Sequence, residues 1–329
     1  MKSRRFLKGT ERMVDPVTVG SIHFLQGFMG MLPRAAQNAM LERSSKKAPY
    51  MGFVVEPYAT FLFYEVTDVE RAARLLPEGF RLARSRPFAG EPEAHYAIIS
   101  LFRAHTSAFW GARAEFYLVA EDERTGLLSW VIVDYLSDTI SHDRAGGLRG
   151  PTAPGSVVTT AADGHVVADV ADERGERAVA IDASLAGARM RPLDARLWVE
   201  GNLSVAYGPE LSPGDAGVFA LTFDAEEMSE ALDVPLDGLR ISWMTWYSDL
   251  VAANPARVVC FPFAQHLLSD SPGAASGYTS VDELDRAVRE VDFRSIPRIS
   301  LASTRAAMLA GTAASLLIIV GLAVALAAR

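Results

Sequence analysis

The chain is almost without cysteine and almost without lysine. One cysteine, Cys260, in 329 residues excludes an internal disulfide and a zinc site built from paired cysteines. It stands in the apolar run Val258-Val259-Cys260-Phe261, where a small buried hydrophobe is expected. The lysines are Lys2, Lys8, Lys46 and Lys47, so no amine side chain exists from residue 48 onward. A Schiff-base mechanism needs such an amine, and arginine cannot supply it because it stays protonated. The six histidines (His23, His95, His105, His142, His165, His266) show no metal-ligand spacing. Neither a Gly-x-Ser-x-Gly elbow nor a phosphate-binding glycine loop occurs. From this inventory no cofactor and no metal are expected.

Positive charge is scarce in most of the chain as well. The net charge is −8, yet residues 1–47 carry nine basic against three acidic side chains, a net of +6, which leaves −14 for residues 48–329. An acidic body argues against nucleic acid as a partner. A basic leader suits either solvent or an anionic lipid surface. No apolar core followed by a small-residue cleavage site marks the leader as a secretory signal.

One long hydrophobic run is present. Residues 306–328 are uncharged between Arg305 and Arg329, and as a helix they would rise about 34 Å, against a hydrocarbon core of roughly 30 Å. The expectation is a C-terminal transmembrane helix, the lipid bilayer as a partner, and a single-pass protein of the cytoplasmic or inner membrane. Arg294, Arg298 and Arg305 would place the body on the cytoplasmic side. Gly311, Ala314, Ser315 and Gly321 are small residues that would let a second membrane helix approach closely. A shorter apolar stretch, residues 17–32, is too polar to span, and it reads as an interfacial or partner-binding helix with Phe24, Phe28 and Met31 as contacts.

Between these ends the pattern is β-rich. Strand-like runs occupy 60–66, 96–102, 116–120, 128–136, 157–160, 165–170, 178–183, 197–199, 203–207 and 218–223, with Asp163-Gly164 and Gly175 as turns. Residues 69–76 read as a short helix after Asp68, ended by Pro77. The aromatic stretch 242–253 reads as a further helix, and Ser280 with Glu283 opens an exposed helix to about Val291. So many short strands predict a closed or nearly closed antiparallel barrel or sandwich. The expected divisions are a basic segment over 1–47, a β-barrel domain over 48–272, a helical linker over 273–305 and the span over 306–328. Trp198, Trp243 and Trp246 are expected in the core. His142-Asp143, beside the glycine- and proline-rich loop 146–155, reads as a surface pair.

The order of several short motifs resembles the acetoacetate decarboxylase-like superfamily. These are Tyr64-Glu65-Val66-Thr67-Asp68, then Leu75-Leu76-Pro77-Glu78-Gly79-Phe80, a strand opening near Glu115, a hairpin from Gly126 into Val131-Ile132-Val133-Asp134-Tyr135, and a loop with Arg144, Arg149, Gly150 and Pro151. The resemblance covers roughly residues 50–270 and implies a mainly β (α+β) fold, a cone-shaped barrel around an apolar cavity with peripheral helices. It also implies a pocket arginine near the tyrosine motif, a glutamate on a later strand and a lysine after a glycine-phenylalanine-proline sequence. Glu115 matches the glutamate. Glu65 and Val66 stand where the arginine is sought, and Thr152 occupies the lysine position. Tyr64, Glu65, Glu115, Arg144, Arg149 and Thr152 are therefore pocket candidates on a scaffold without the family's amine. Two readings follow. One is a non-catalytic accessory subunit docked on other membrane protein subunits. The other is a lysine-independent enzyme or binder that takes an apolar carboxylate or lipid-derived molecule in the barrel.

Overall fold

A computed structural model describes residues 4–15, 19, 32–33, 35–36, 39, 50–107, 109–139, 141–143, 147–149, 151–172, 174–211, 219–270, 278–296, 309–310 and 312–320. The strands are β1 (Tyr50–Val55), β2 (Ala59–Glu65), β3 (Phe80–Leu82), β4 (Arg84–Ser85), β5 (Ala94–Thr106), β6 (Trp110–Asp122), β7 (Leu128–Ser137), β8 (Ser141–Asp143), β9 (Gly147–Arg149) and β10 (Val157–Thr160). They continue as β11 (His165–Ala171), β12 (Arg177–Ser184), β13 (Arg189–Pro192), β14 (Val205–Tyr207), β15 (Leu221–Phe223), β16 (Glu230–Asp233), β17 (Leu239–Met244), β18 (Arg257–Phe261) and β19 (Gln265–Asp270). The helices are α1 (Arg4–Met13), α2 (Val69–Ala73), α3 (Ala195–Trp198) and α4 (Val281–Glu290).

The ladders run in a circuit. β5 pairs with β6, β6 with β7, and β7 with β14. Val205 of β14 then bridges Phe219 through two backbone hydrogen bonds of 2.8 Å. Two residues later the chain enters β15, which pairs with β19, then β1, then β5 again. The sheet thus closes into a barrel, as expected, antiparallel except at β14–β7. β2, β18, β16 and β13 branch from the edge of β5 that β1 shares. A second sheet, β10-β11-β12-β17, lies apart from this circuit. Local chemistry sets the turns. At β6–β7 the Asp122 carboxylate accepts from Arg124 N at 2.9 Å, and Gly126 takes φ +73°, a left-handed value that costs a Cβ-bearing residue.

Period-two alternation sorts side chains into two cores. Phe63, Ile98, Phe102, Tyr117, Trp130, Trp198 and Phe261 pack on one face, while Leu62, Ile99, Phe116, Leu118, Val179 and Ile181 pack on the other, toward the smaller sheet. Trp130 and Trp198 satisfy their indole N–H groups on Leu197 O (2.9 Å) and Pro87 O (2.8 Å), so both rings bury without an unpaired donor. Cys260 is fully buried, in keeping with its apolar run.

Helix α1, within the basic start, packs on this body. Phe6 of α1 is fully buried and meets the Phe293 ring edge-on at 5.7 Å. Gly9 is required there, because a Cβ would lie 2.3 Å from that ring. Ser280 caps α4 as its sequence implies (Oγ accepts from Glu283 N, 3.3 Å), but the helix is docked and not exposed, with Leu284 and Val288 buried.

Three expectations need correction. Residues 242–253 do not form a helix: β17 runs to Met244 because it pairs with β12, and this ladder overrides local helical preference. Residues 195–198 are helical rather than extended, since Asp194 caps them by accepting from Leu197 N at 3.2 Å. The membrane span is the third. Among the described residues no helix is long and apolar enough to cross a membrane. In the tail, residues 309–310 and 312–320 are described, and they are helical. The single-pass topology and the inner-membrane placement built on that span are withdrawn with it. Ala314 and Ser315 are exposed among these helical residues, while Gly311, Gly321, Phe24, Phe28 and Met31 lie outside the described residues. Trp243 is also out of place against expectation, 47% exposed on the small sheet, whereas Trp198 and Trp246 are buried.

Candidate functional site

β6 carries charged side chains into the barrel at alternate positions. Arg113, Glu115 and Tyr117 share one face of the strand, the same face as Ile98, Phe102, Trp130 and Ile132. Arg113 Nε and Glu115 Oε1 form an ion pair, with only 12% and 7% of the two side chains exposed. The Tyr117 hydroxyl donates to the other carboxylate oxygen, Glu115 Oε2. The guanidinium carbon of Arg113 lies 4.3 Å from the centre of the Tyr135 ring, over its face, and 5.8 Å from that of Phe109. Tyr135 is directly opposite Glu115 on β7, and Ser100 is opposite it on β5. Ser100 is fully buried and its hydroxyl has no hydrogen-bond partner.

Burial governs the electrostatics. It raises the Glu115 carboxyl above the ordinary carboxylate range, and the Arg113 guanidinium opposes that rise without cancelling it. Burial also pushes the Tyr207 phenol up to about 12, again with Arg113 opposing. Arg113 stays charged. The cluster is one cation, one carboxyl disposed to hold a proton, a phenol bound to that carboxyl and a free hydroxyl. It can exchange one carboxylate partner of Arg113 for another and move a proton at Glu115. It offers no amine nucleophile.

The other sequence candidates are dispersed. Tyr64 is buried on the opposite face of β2, toward the smaller sheet, its phenol raised to about 12 by burial and its hydroxyl unpartnered. Glu65, the next residue, is exposed. Thr152 lies beside the open end of β7, where its Oγ1 accepts from Ser137 N at 3.0 Å. Ser137 is directly opposite Arg113 in the β6–β7 ladder. Arg144 is outside the described residues, and Arg149 is described by its backbone alone, in β9 opposite Ser141. Arg113, Tyr117 and Tyr135 were not singled out in the sequence. The signal was there as polar residues at every second position, Arg113-x-Glu115-x-Tyr117. It was masked because the apolar run begins at Phe116, so the charged residues before it read as turn.

Among the described residues no group of three or more histidine, cysteine or acidic side chains is disposed to hold a metal ion. No protein-family model and no curated protein sequence matches this chain. Solved structures do. Acetoacetate decarboxylase from Legionella pneumophila is 13% identical, with a TM-score of 0.44, covering 68% of this chain and 87% of its own. The enduracididine biosynthesis enzyme MppR, with HEPES buffer bound, is 14% identical, with a TM-score of 0.40 and coverage of 68% and 86%. An acetoacetate decarboxylase-like enzyme from Sphingomonas wittichii RW1 is 11% identical, with a TM-score of 0.37 and coverage of 68% and 92%.

Proposed function

We propose that the barrel is a lysine-free pocket for a small apolar monocarboxylate, recognised by Arg113. The observation that carries this reading is the buried Arg113–Glu115 pair, set among phenols inside an otherwise apolar barrel. An isolated buried pair is costly to desolvate and is a weak source of stability. A carboxyl with a raised pKa beside a permanent cation is, however, suited to ligand exchange. An incoming carboxylate takes the guanidinium, while Glu115 accepts a proton and turns from acceptor to donor. The apolar body of the ligand lies against aromatic side chains such as Tyr135. Binding by this route takes up a proton.

Calorimetric titration with cinnamate and octanoate, each in two buffers of different ionisation enthalpy, tests the reading. Saturable one-to-one binding with proton uptake is expected at neutral pH, absent in Arg113→Met and absent for cinnamamide. No binding of either acid, together with a stoichiometric protein partner in the purified material, would favour the accessory-subunit reading instead.

A further inference from the structure

The smaller sheet ends on β10, whose outer edge pairs with no strand among the described residues. Two other edges of the fold are guarded. β13 carries Arg189 and Arg191 and ends on Pro192, and β17 carries Arg240 and pairs with β12 through a bulge. β10 has none of these devices. It reads Val157-Val158-Thr159-Thr160, four β-branched residues without a charge, in unbroken register with β11. Ala161 N donates to His165 O at 2.8 Å, which fixes the parity of that ladder. Val157 and Thr159 therefore turn their backbone groups toward β11, and Val158 and Thr160 turn theirs outward. Among the described residues those outward N–H and C=O groups have no hydrogen-bond partner.

A cavity of about 400 Å³ lies along this edge, and all four residues of β10 line it. Successive side chains of a strand point to opposite faces, so a space touched by four in a row borders the backbone edge itself. Residues 56–59, the turn from β1 to β2, line it as well, which makes the cavity a slot between two stretches of main chain. At this turn Glu56 N donates to Arg103 O at 2.8 Å, so the barrel wall is closed there and the slot is separate from Arg113. Arg103 lines the slot with its side chain 41% exposed. It is held through Nε alone, 3.5 Å from Glu56 Oε1, an oxygen that His105 Nε2 already engages at 2.6 Å. The terminal guanidinium nitrogens have no partner among the described residues. Ser156, just before β10, adds a buried hydroxyl without a partner, and Ala59, Val158 and Val166 add apolar surface.

We propose that the slot takes the carboxyl-terminal end of an extended peptide, which adds a strand to β10 and sets its terminal carboxylate on Arg103. Val158 and Thr160 supply the main-chain hydrogen bonds, and the apolar lining selects an aliphatic side chain at alternate positions. A second copy of this chain is the poorer occupant, because two β10 edges meet only if both 56–59 turns move aside. The proposal does not depend on the reading of Arg113. Acetyl-Thr-Val-Thr-Val, as free acid and as carboxamide, is titrated into isotope-labelled protein and followed by amide chemical shifts and hydrogen exchange. Saturable shifts and slowed exchange are expected at the Val158 and Thr160 amides. The acid should bind at least fivefold tighter than the carboxamide, a difference that disappears in Arg103→Gln. Thr160→Pro removes one outward N–H and no ladder bond, a change that an edge strand tolerates. It should weaken the acid about tenfold, because a peptide carbonyl loses its donor. A control on the peptide needs no variant: N-methylation of one amide should weaken binding about tenfold and that of its neighbour far less, since only every second amide faces β10. Absence of saturable shifts at Val158 and Thr160 with millimolar free acid would overturn the proposal, as would equal binding of acid and carboxamide by the parent. A dimer in sedimentation that Thr160→Pro dissociates would give the edge to a second copy and overturn it as well.

Discussion

Replacing Glu115 by Gln removes one charge and almost no volume from the barrel. What it leaves is a guanidinium whose side chain is 12% exposed and which has lost its counterion. Removing one partner of a buried pair costs about 3–5 kcal/mol, because the remaining charge is uncompensated. The Tyr135 face, 4.3 Å from the Arg113 guanidinium carbon, returns at most about 2 kcal/mol. The amide oxygen of Gln can still accept from Arg113, so the lower end, about 3 kcal/mol, is expected. Arg113→Met alone leaves a carboxyl that protonates, a smaller loss. The double variant, apolar at 113 and neutral at 115, should recover most of the deficit, since well-packed replacements of buried pairs are often neutral or stabilising. Urea denaturation of the four proteins closes the double-mutant cycle, with an expected coupling above about 1 kcal/mol. The pH dependence has a definite sign. The folded pKa of Glu115 is raised, so its contribution is present below the ordinary carboxylate pKa and is lost as pH rises through the folded value. Glu115→Gln should abolish that slope. A variant within about 1 kcal/mol of the parent, with the slope intact, would refute the claim that Glu115 is the buried partner of Arg113.

Other expectations concern the rest of the fold. His266 holds Glu11 of α1 at 3.0 Å and Glu227 at 3.2 Å; burial lowers its pKa, and the two carboxylates outweigh this and raise it overall. The attachment of α1 is therefore strongest below the ordinary imidazole pKa and weakens as pH rises through the folded value. Amide exchange of residues 4–13 should accelerate over that interval in the parent and show no such step in His266→Gln. Gly9→Leu should detach α1, because its side chain would enter the Phe293 ring, and the loss of Phe6 burial should lower stability by about 3 kcal/mol. Borohydride with acetoacetate should trap no adduct within residues 48–329, read by mass spectrometry. A covalent adduct there would defeat the lysine argument.

The β-rich character of the chain could be read from period-two alternation, since each buried strand must present one side chain in two to the barrel. Closure was expected from the number of strands, but which of them meet could not be read, because the bridge from Val205 to Phe219 joins two short runs whose patterns specify no partner. Residues 242–253 misled because a Trp- and Tyr-rich stretch has the same composition in a helix and in an edge strand, and only the pairing with β12 decides. In the tail, hydropathy alone suggested a length that the described helix does not have. The site was half legible. Glu115 was found through resemblance, whereas Arg113 and Tyr117 were hidden because charged residues before an apolar run suggest a turn. Only the ladder with β5, which runs to His105↔Trp110, shows that β6 starts at Trp110 and takes Arg113 inward.

The claim that Arg113 is a ligand-recognising group inside the barrel is tested most directly by anomalous diffraction from crystals soaked with 4-bromocinnamate. The account predicts a bromine peak within the barrel, with the carboxylate within hydrogen-bonding distance of the Arg113 guanidinium and Glu115 displaced from it. Bromine peaks confined to the surface, with the Arg113–Glu115 pair intact at full soak concentration, would contradict it.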